Sequence, residues 1–153
     1  MNREQLISII DDAVNREDDS YTFYKNAAEK AEDPQTKSLF ERLSKEELKH
    51  KDYLQKFLET KAETIKIDDS EDYNLSQDID RPRMNTEMDF RDAIKLAIKR
   101  EEEAMQLYAD IANSCIDKSE KDIFAGLSKM EKLHKTELEE IFLNVGFNEV
   151  CLN

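Results

Sequence analysis

Glycine and proline are nearly missing from this 153-residue chain, which has 2 of each. A many-stranded sandwich or barrel needs turn residues at intervals of roughly ten, so that class is excluded. A glycine-rich phosphate loop is excluded as well, because the two glycines stand alone at 126 and 146. Tryptophan is absent, and the 2 cysteines, Cys115 and Cys151, are isolated. No Cys-x-x-Cys pair is on offer to zinc or to an iron tetrathiolate, and isolated thiols fit a reducing, cytoplasmic setting. The longest early apolar run, Leu6 to Ile10, meets Asp11 and Asp12 at once, so neither a signal peptide nor a transmembrane span is expected. Positive charge is also short: 23 Lys and Arg face 36 Asp and Glu, a formal charge of −13. Nucleic acid and anionic membrane both demand a basic face and are excluded as partners, whereas cations are drawn in.

What the chain does have is charge and apolar residues in equal measure, 39% of each, the mixture of long amphipathic helices. It also repeats itself. Shifted by 84 positions, residues 13–59 fall on 97–143 without a gap. Ala13 meets Ala97, Glu17 meets Glu101 and Tyr24 meets Tyr108; Leu43-Ser44-Lys45 meets Leu127-Ser128-Lys129, and Glu47 and His50 meet Glu131 and His134. One such unit is too small to close a core alone, so two units packed face to face are expected.

Each unit reads as two helices. Ile10, Ala13, Glu17, Ser20, Tyr24 and Ala27 recur at spacings of three and four, as do Phe40, Leu43, Glu47, His50, Leu54 and Phe57. Asp33-Pro34 supplies a cap and a first-turn proline between them. The later unit follows with Ile94, Ala97, Glu101 and Tyr108, then Phe124, Leu127, Glu131, His134 and Leu138; Asp117-x-x-Glu120 reads as the capping box between its helices. Residues 60–88 are polar and without period, too long for a tight turn and suited to a crossover connection. Residues 144–153 read as a short tail turning at Gly146. The expectation is an all-α chain, 1–153 as one unit: a four-helix bundle of two helix pairs, about 4–59 and 89–143, joined by the long crossover 60–88.

Six positions on these apolar stripes are not apolar: Glu17, Glu47, His50, Glu101, Glu131 and His134. A carboxylate moved into a low-dielectric core costs several kcal/mol even after relaxation, and four together approach the whole stability of an ordinary domain. No lysine or arginine on the same stripes matches each of them. Two divalent cations would balance four carboxylates with both imidazoles neutral. Glu and His three apart project from one helix face within a turn, and two such pairs plus a glutamate from each of the other helices make a di-iron or di-manganese carboxylate site. Glu47 and Glu131 are assigned as bridging ligands, Glu17 and Glu101 as terminal ones, and His50 and His134 complete each sphere. Oxygen-rich ligation with one imidazole per ion suits iron or manganese. Tyr24 and Tyr108, seven residues after Glu17 and Glu101, are candidates to hydrogen-bond the ligand carboxylates.

Glu17…Tyr24, Glu47-Leu48-Lys49-His50, Glu101…Tyr108 and Glu131-Lys132-Leu133-His134 together resemble the rubrerythrin-like branch of the ferritin-like superfamily, over roughly residues 5–143. The resemblance implies a ferritin-like bundle with a non-haem di-iron centre, two Fe ions per chain, reacting with hydrogen peroxide or dioxygen. The chain departs from rubrerythrins in two ways. They carry a rubredoxin-like domain with four cysteines, which this chain lacks, and an extra glutamate one turn after the third-helix ligand, where Ala104 stands here. The expected activity is an oxidoreductase that reduces hydrogen peroxide, with electrons from an external donor such as a rubredoxin-like protein. The alternatives are a ferritin-type ferroxidase that handles or stores iron, and, with manganese in the same ligands, catalase-like chemistry. A homodimer is the expected assembly.

Overall fold

The computed structural model describes residues 2–60, 69–85 and 87–151, with the backbone alone for residues 60 and 145–151. Helix α1 spans Arg3–Lys30, α2 Pro34–Thr60, α3 Phe90–Ser114 and α4 Lys118–Cys151; no strand occurs among the described residues. Each start is capped by a side chain. Asn2 accepts from the Gln5 amide at 2.8 Å, and the Gln5 side chain returns the bond to the Asn2 amide. Asp33 takes both the amide and the hydroxyl of Thr36 at 2.8 Å, so the cap and first-turn proline before α2 are in place. Asp89 accepts from the Asp92 amide at 2.8 Å, and Asp117 from the amides of Ser119 and Glu120 at 2.9 and 3.1 Å.

The three-residue connections at 31–33 and 115–117 fold α1 against α2 and α3 against α4, and these two pairs make the most extensive helix contacts. The expected tail after 143 is corrected: α4 runs on through Gly146 to Cys151. One glycine in a helix costs about 1 kcal/mol relative to alanine, and no glycine among the described residues takes a positive φ. Gly146 therefore weakens the helix without ending it.

The apolar core is in two pieces. One packs Tyr24, Phe40, Leu43, Ile94, Ile98 and Leu138; the other packs Ile10, Ala13, Leu54, Tyr108, Phe124 and Leu127. On every helix the chain passes from one piece to the other across the same interval: Ala13 to Tyr24, Leu43 to Leu54, Ala97 to Tyr108 and Leu127 to Leu138. The six polar stripe residues occupy those four intervals and form a band across the middle of the bundle.

Residues 61–68 and 86 of the expected crossover lie outside the described residues; residues 69–77, featureless in sequence, form a strap over α4. Residues 75–77 form one 3-10 turn, entered through Asn74 in the left-handed region at φ 53, a conformation asparagine tolerates. Lys132 pairs with Asp69 at 3.0 Å, Lys135 bonds Asp72, and Thr136 donates to the Glu71 carbonyl. Glu139 accepts the amides of Tyr73 at 3.3 Å and Leu75 at 2.9 Å. These α4 residues share one face at helical spacing, and the strap buries Lys135, Thr136 and Glu139.

Candidate metal centre

All six polar stripe residues are buried: Glu131 is fully enclosed and His134, the most accessible, is 8% exposed. Glu47, His50, Glu131 and His134 each bring one donor atom to within 4.8 Å of the others. The remaining two stand beside the imidazoles. Glu17 Oε2 lies 3.4 Å from His50 Nδ1, and Glu101 Oε2 lies 4.0 Å from His134 Nδ1. His50 Nδ1 is bonded to Glu131 Oε1 at 3.0 Å, and the two imidazoles stack nearly parallel with centroids 4.9 Å apart.

The protons in this band follow from burial and mutual charge. Burial, then the charges of Glu131 and Glu17, push the Glu47 carboxyl well above the ordinary range. Burial, then Glu131 and Glu47, do the same to Glu101. Burial would also raise Glu131, but the His50 charge, the nearby His134 imidazole and the bond to His50 hold it well below that range. Burial would lower His50; the charge and bond of Glu131 outweigh it and hold the imidazole well above its usual value. Burial and mutual charge thus push Glu47 and Glu101 toward their neutral forms, and His50 and Glu131 toward an imidazolium–carboxylate pair.

That balance leaves polar atoms unused. Glu17 Oε2, Glu101 Oε1, Glu131 Oε2 and His134 Nδ1 are buried with no hydrogen-bond partner among the described residues. Buried polar atoms are nearly always bonded, and a convergent set of carboxylate oxygens with imidazole nitrogens is the donor chemistry that iron or manganese takes. The residues present fit such a metal.

Around the band, Tyr108 donates its hydroxyl to Glu17 Oε1, across from α3 to α1 rather than to Glu101 on its own helix. Its counterpart Tyr24 is 1% exposed and stacks on Phe40, but its hydroxyl makes no hydrogen bond among the described residues. Ala104 is half-buried one turn after Glu101. Sequence periodicity missed Glu46, whose Oε2 sits 3.4 Å from His134 Nε2; the residue is off the apolar stripe, and only its position four before His50 marks it. It also missed Lys135, 1% exposed and 2.9 Å from Glu102. The repeat carries a signal for that pair, since Lys51 and Asp18, 84 positions earlier, pair at 2.6 Å on the open face.

A four-helix bundle with a buried Glu/His band is a protein of ferritin-like type equipped to hold metal. The sequence profile of the rubrerythrin family matches residues 8–142, and the chain belongs to that family. Rubrerythrin membership suggests oxidoreductase activity in general, and with the Glu/His cluster it suggests a metal site, with iron as the metal. Comparison with curated proteins and with solved structures returns no match. Among the described residues no helix is long and apolar enough to cross a membrane.

Proposed function

We propose that this protein is a non-haem di-iron oxidoreductase that reduces hydrogen peroxide with electrons from a separate donor. One observation carries the reading: in a rubrerythrin-family bundle, four carboxylates and two imidazoles are buried in one band, and four of their donor atoms make no hydrogen bond there. In this reading Glu47 and Glu131 would help to hold both ions. Glu17 with His50 would hold one and Glu101 with His134 the other, a division supported by the 3.4 and 4.0 Å approaches within each pair.

Two ferrous ions, when bound, supply two electrons together and the Lewis acidity that polarises an O–O bond. The chain's own residues supply the frame. Tyr108 orients Glu17 through its hydroxyl; burial and the Glu17 charge hold that hydroxyl well above its usual pKa, so it keeps its proton and remains a donor. The apolar clusters on either side of the band keep bulk water out. Each peroxide takes two electrons and two protons and leaves as two waters. A rubredoxin-like protein is the proposed donor. The unit at work is the whole chain, as a homodimer in the cytoplasm.

An anaerobic Fe(II) titration, each saturated sample then divided between peroxide and air-saturated buffer, tests the proposal. Saturation at two irons per chain with much faster oxidation by peroxide is expected. Fast oxidation by dioxygen with peroxide ignored would overturn it. Ala104 favours that second reading, a ferroxidase, because it leaves six ligands where rubrerythrins have an additional glutamate. Further iron uptake after each oxidation cycle, and an assembly larger than a dimer by light scattering, would mark it.

A further inference from the structure

The two nitrogens of His134 face different surroundings. Nδ1 turns into the band, 3.8 Å from Glu131 Oε2 and 4.0 Å from Glu101 Oε2, and makes no hydrogen bond. Nε2 turns the other way and lies 3.4 Å from Glu46 Oε2. Glu46 is not one of the six. It is a half-buried residue of α2, and its other oxygen accepts from Lys49 Nζ at 3.3 Å. The carboxylate is therefore held between a lysine on its own helix and an imidazole on α4.

A metal-bound imidazole nearly always donates its second N–H to a carboxylate, a carbonyl or water, which fixes the tautomer and the ring plane. We propose that Glu46 is a positioning residue for His134, accepting the Nε2 proton so that the Nδ1 lone pair is left for the metal, and that it makes the two halves of the centre unequal. The inference rests on the metal-centre reading above.

The inequality is written in the repeat. Shifted by 84 positions, Glu46 falls on Met130, so the matching position in the repeat carries a thioether instead of a carboxylate. A thioether is a weak acceptor and cannot select a tautomer as a carboxylate does. His50 is fixed from the opposite side, through its Nδ1 contacts of 3.0 Å to Glu131 and 3.4 Å to Glu17. A metal ion on that nitrogen displaces the bond which now orients the ring. On His134 the inward nitrogen makes no hydrogen bond, and the outward one already has a carboxylate 3.4 Å away. The half of the centre at His134 is thus preorganised, and it binds the first ion more tightly.

Anaerobic Co(II) and Fe(II) titrations, read by calorimetry and by the visible spectrum of Co(II), test this without any turnover. Wild type should show two unequal binding events. Glu46→Met, which copies Met130, should weaken the tighter event by about 10–100-fold and leave the other in place. Glu46→Gln keeps an oxygen for the Nε2 proton while removing the charge, and should return the tighter event to within a few-fold of wild type. Met130→Glu should tighten the weaker event, and it carries the test if circular dichroism finds that Glu46→Met does not fold. The inference is overturned if Glu46→Met changes neither event or both equally. It is also overturned if Glu46→Gln loses as much as Glu46→Met, which would mean that Glu46 acts by charge alone. Two normal events in wild type with no effect of these variants would sink the role of Glu46 only. No saturable binding by wild type would sink the metal centre with it.

Discussion

Glu47→Leu should make the metal-free protein more stable and the metal-loaded protein less so. Glu47 is 4% exposed on α2, and burial together with the charges of Glu131 and Glu17 pushes its carboxyl well above the 4.5 of an ordinary carboxyl. Burying a polar group without adequate partners costs about 1–3 kcal/mol, and a leucine in its place contributes about 1.5–3 kcal/mol of apolar burial. An imperfect fit among the remaining polar groups takes back part of this, so a net gain of about 1–3 kcal/mol is expected in the absence of metal. At this chain length each kcal/mol moves the melting temperature by about 2–4 °C. The sign with pH follows from the raised pKa. A group whose folded pKa is raised contributes stability that is present below its unfolded value and lost as pH rises through the folded value. Metal-free wild type therefore weakens as pH climbs above 4.5, and the advantage of the leucine variant is larger at pH 8 than at pH 5. Fe(II) at a hundred times its Kd should stabilise wild type by about 2.7 kcal/mol per site and the variant by much less. Anaerobic thermal melts at both pH values, with and without Fe(II), measure all four corners. A metal-free variant less stable than wild type at pH 8 would refute the reasoning, because Glu47 would then be a well-satisfied member of the core.

Metal uptake should expel protons, since Glu47, Glu101 and His50 are all pushed toward their protonated forms and ligation requires carboxylates and neutral imidazole. Apparent affinity should rise with pH, and calorimetry in two buffers of different ionisation enthalpy should report net proton release; no release would refute it. Tyr108→Phe removes the donor to Glu17 and should weaken metal binding by about 10-fold, whereas Tyr24→Phe, whose hydroxyl is unbonded among the described residues, should change it far less. Equal losses in a metal titration would contradict this. Lys135→Met removes the buried cation between Asp72 and Glu102 and should cost about 3 kcal/mol in urea unfolding. A loss below about 1 kcal/mol would mean that the strap contributes nothing to holding α4.

The two-helix repeat and its caps could be read directly, because each is a statement about neighbours in the chain. Asp33 and Pro34 act within one turn, and Glu17, Glu47 and Glu101 sit in phase with the apolar residues around them. Burial of all six polar positions follows from that phase. Two features escaped, each for its own reason. Nothing in residues 145–151 forces a stop, and a single glycine, at roughly 1 kcal/mol, cannot end a helix by itself. Residues 69–77 have no period because their partners are polar groups on α4 rather than a shared apolar face, and so the burial of Lys135 and Glu139 left no mark in either segment alone.

The composition and the repeat settle that this chain is a helical bundle and that charged groups enter its middle. Periodicity reports the angle at which a side chain leaves its own helix, a local property that any stretch of chain reveals. It says nothing of how far one helix slides or turns against the next. That relation, set by the packing of the two apolar clusters, sends Tyr108 to Glu17 rather than Glu101. It brings Glu46 to the far nitrogen of His134, and it closes a strap over Lys135 while Lys51, its match in the repeat, stays partly open. The sequence repeats itself, but the described part of the crossover, residues 69–77, packs on α4, and the symmetry of the site ends there.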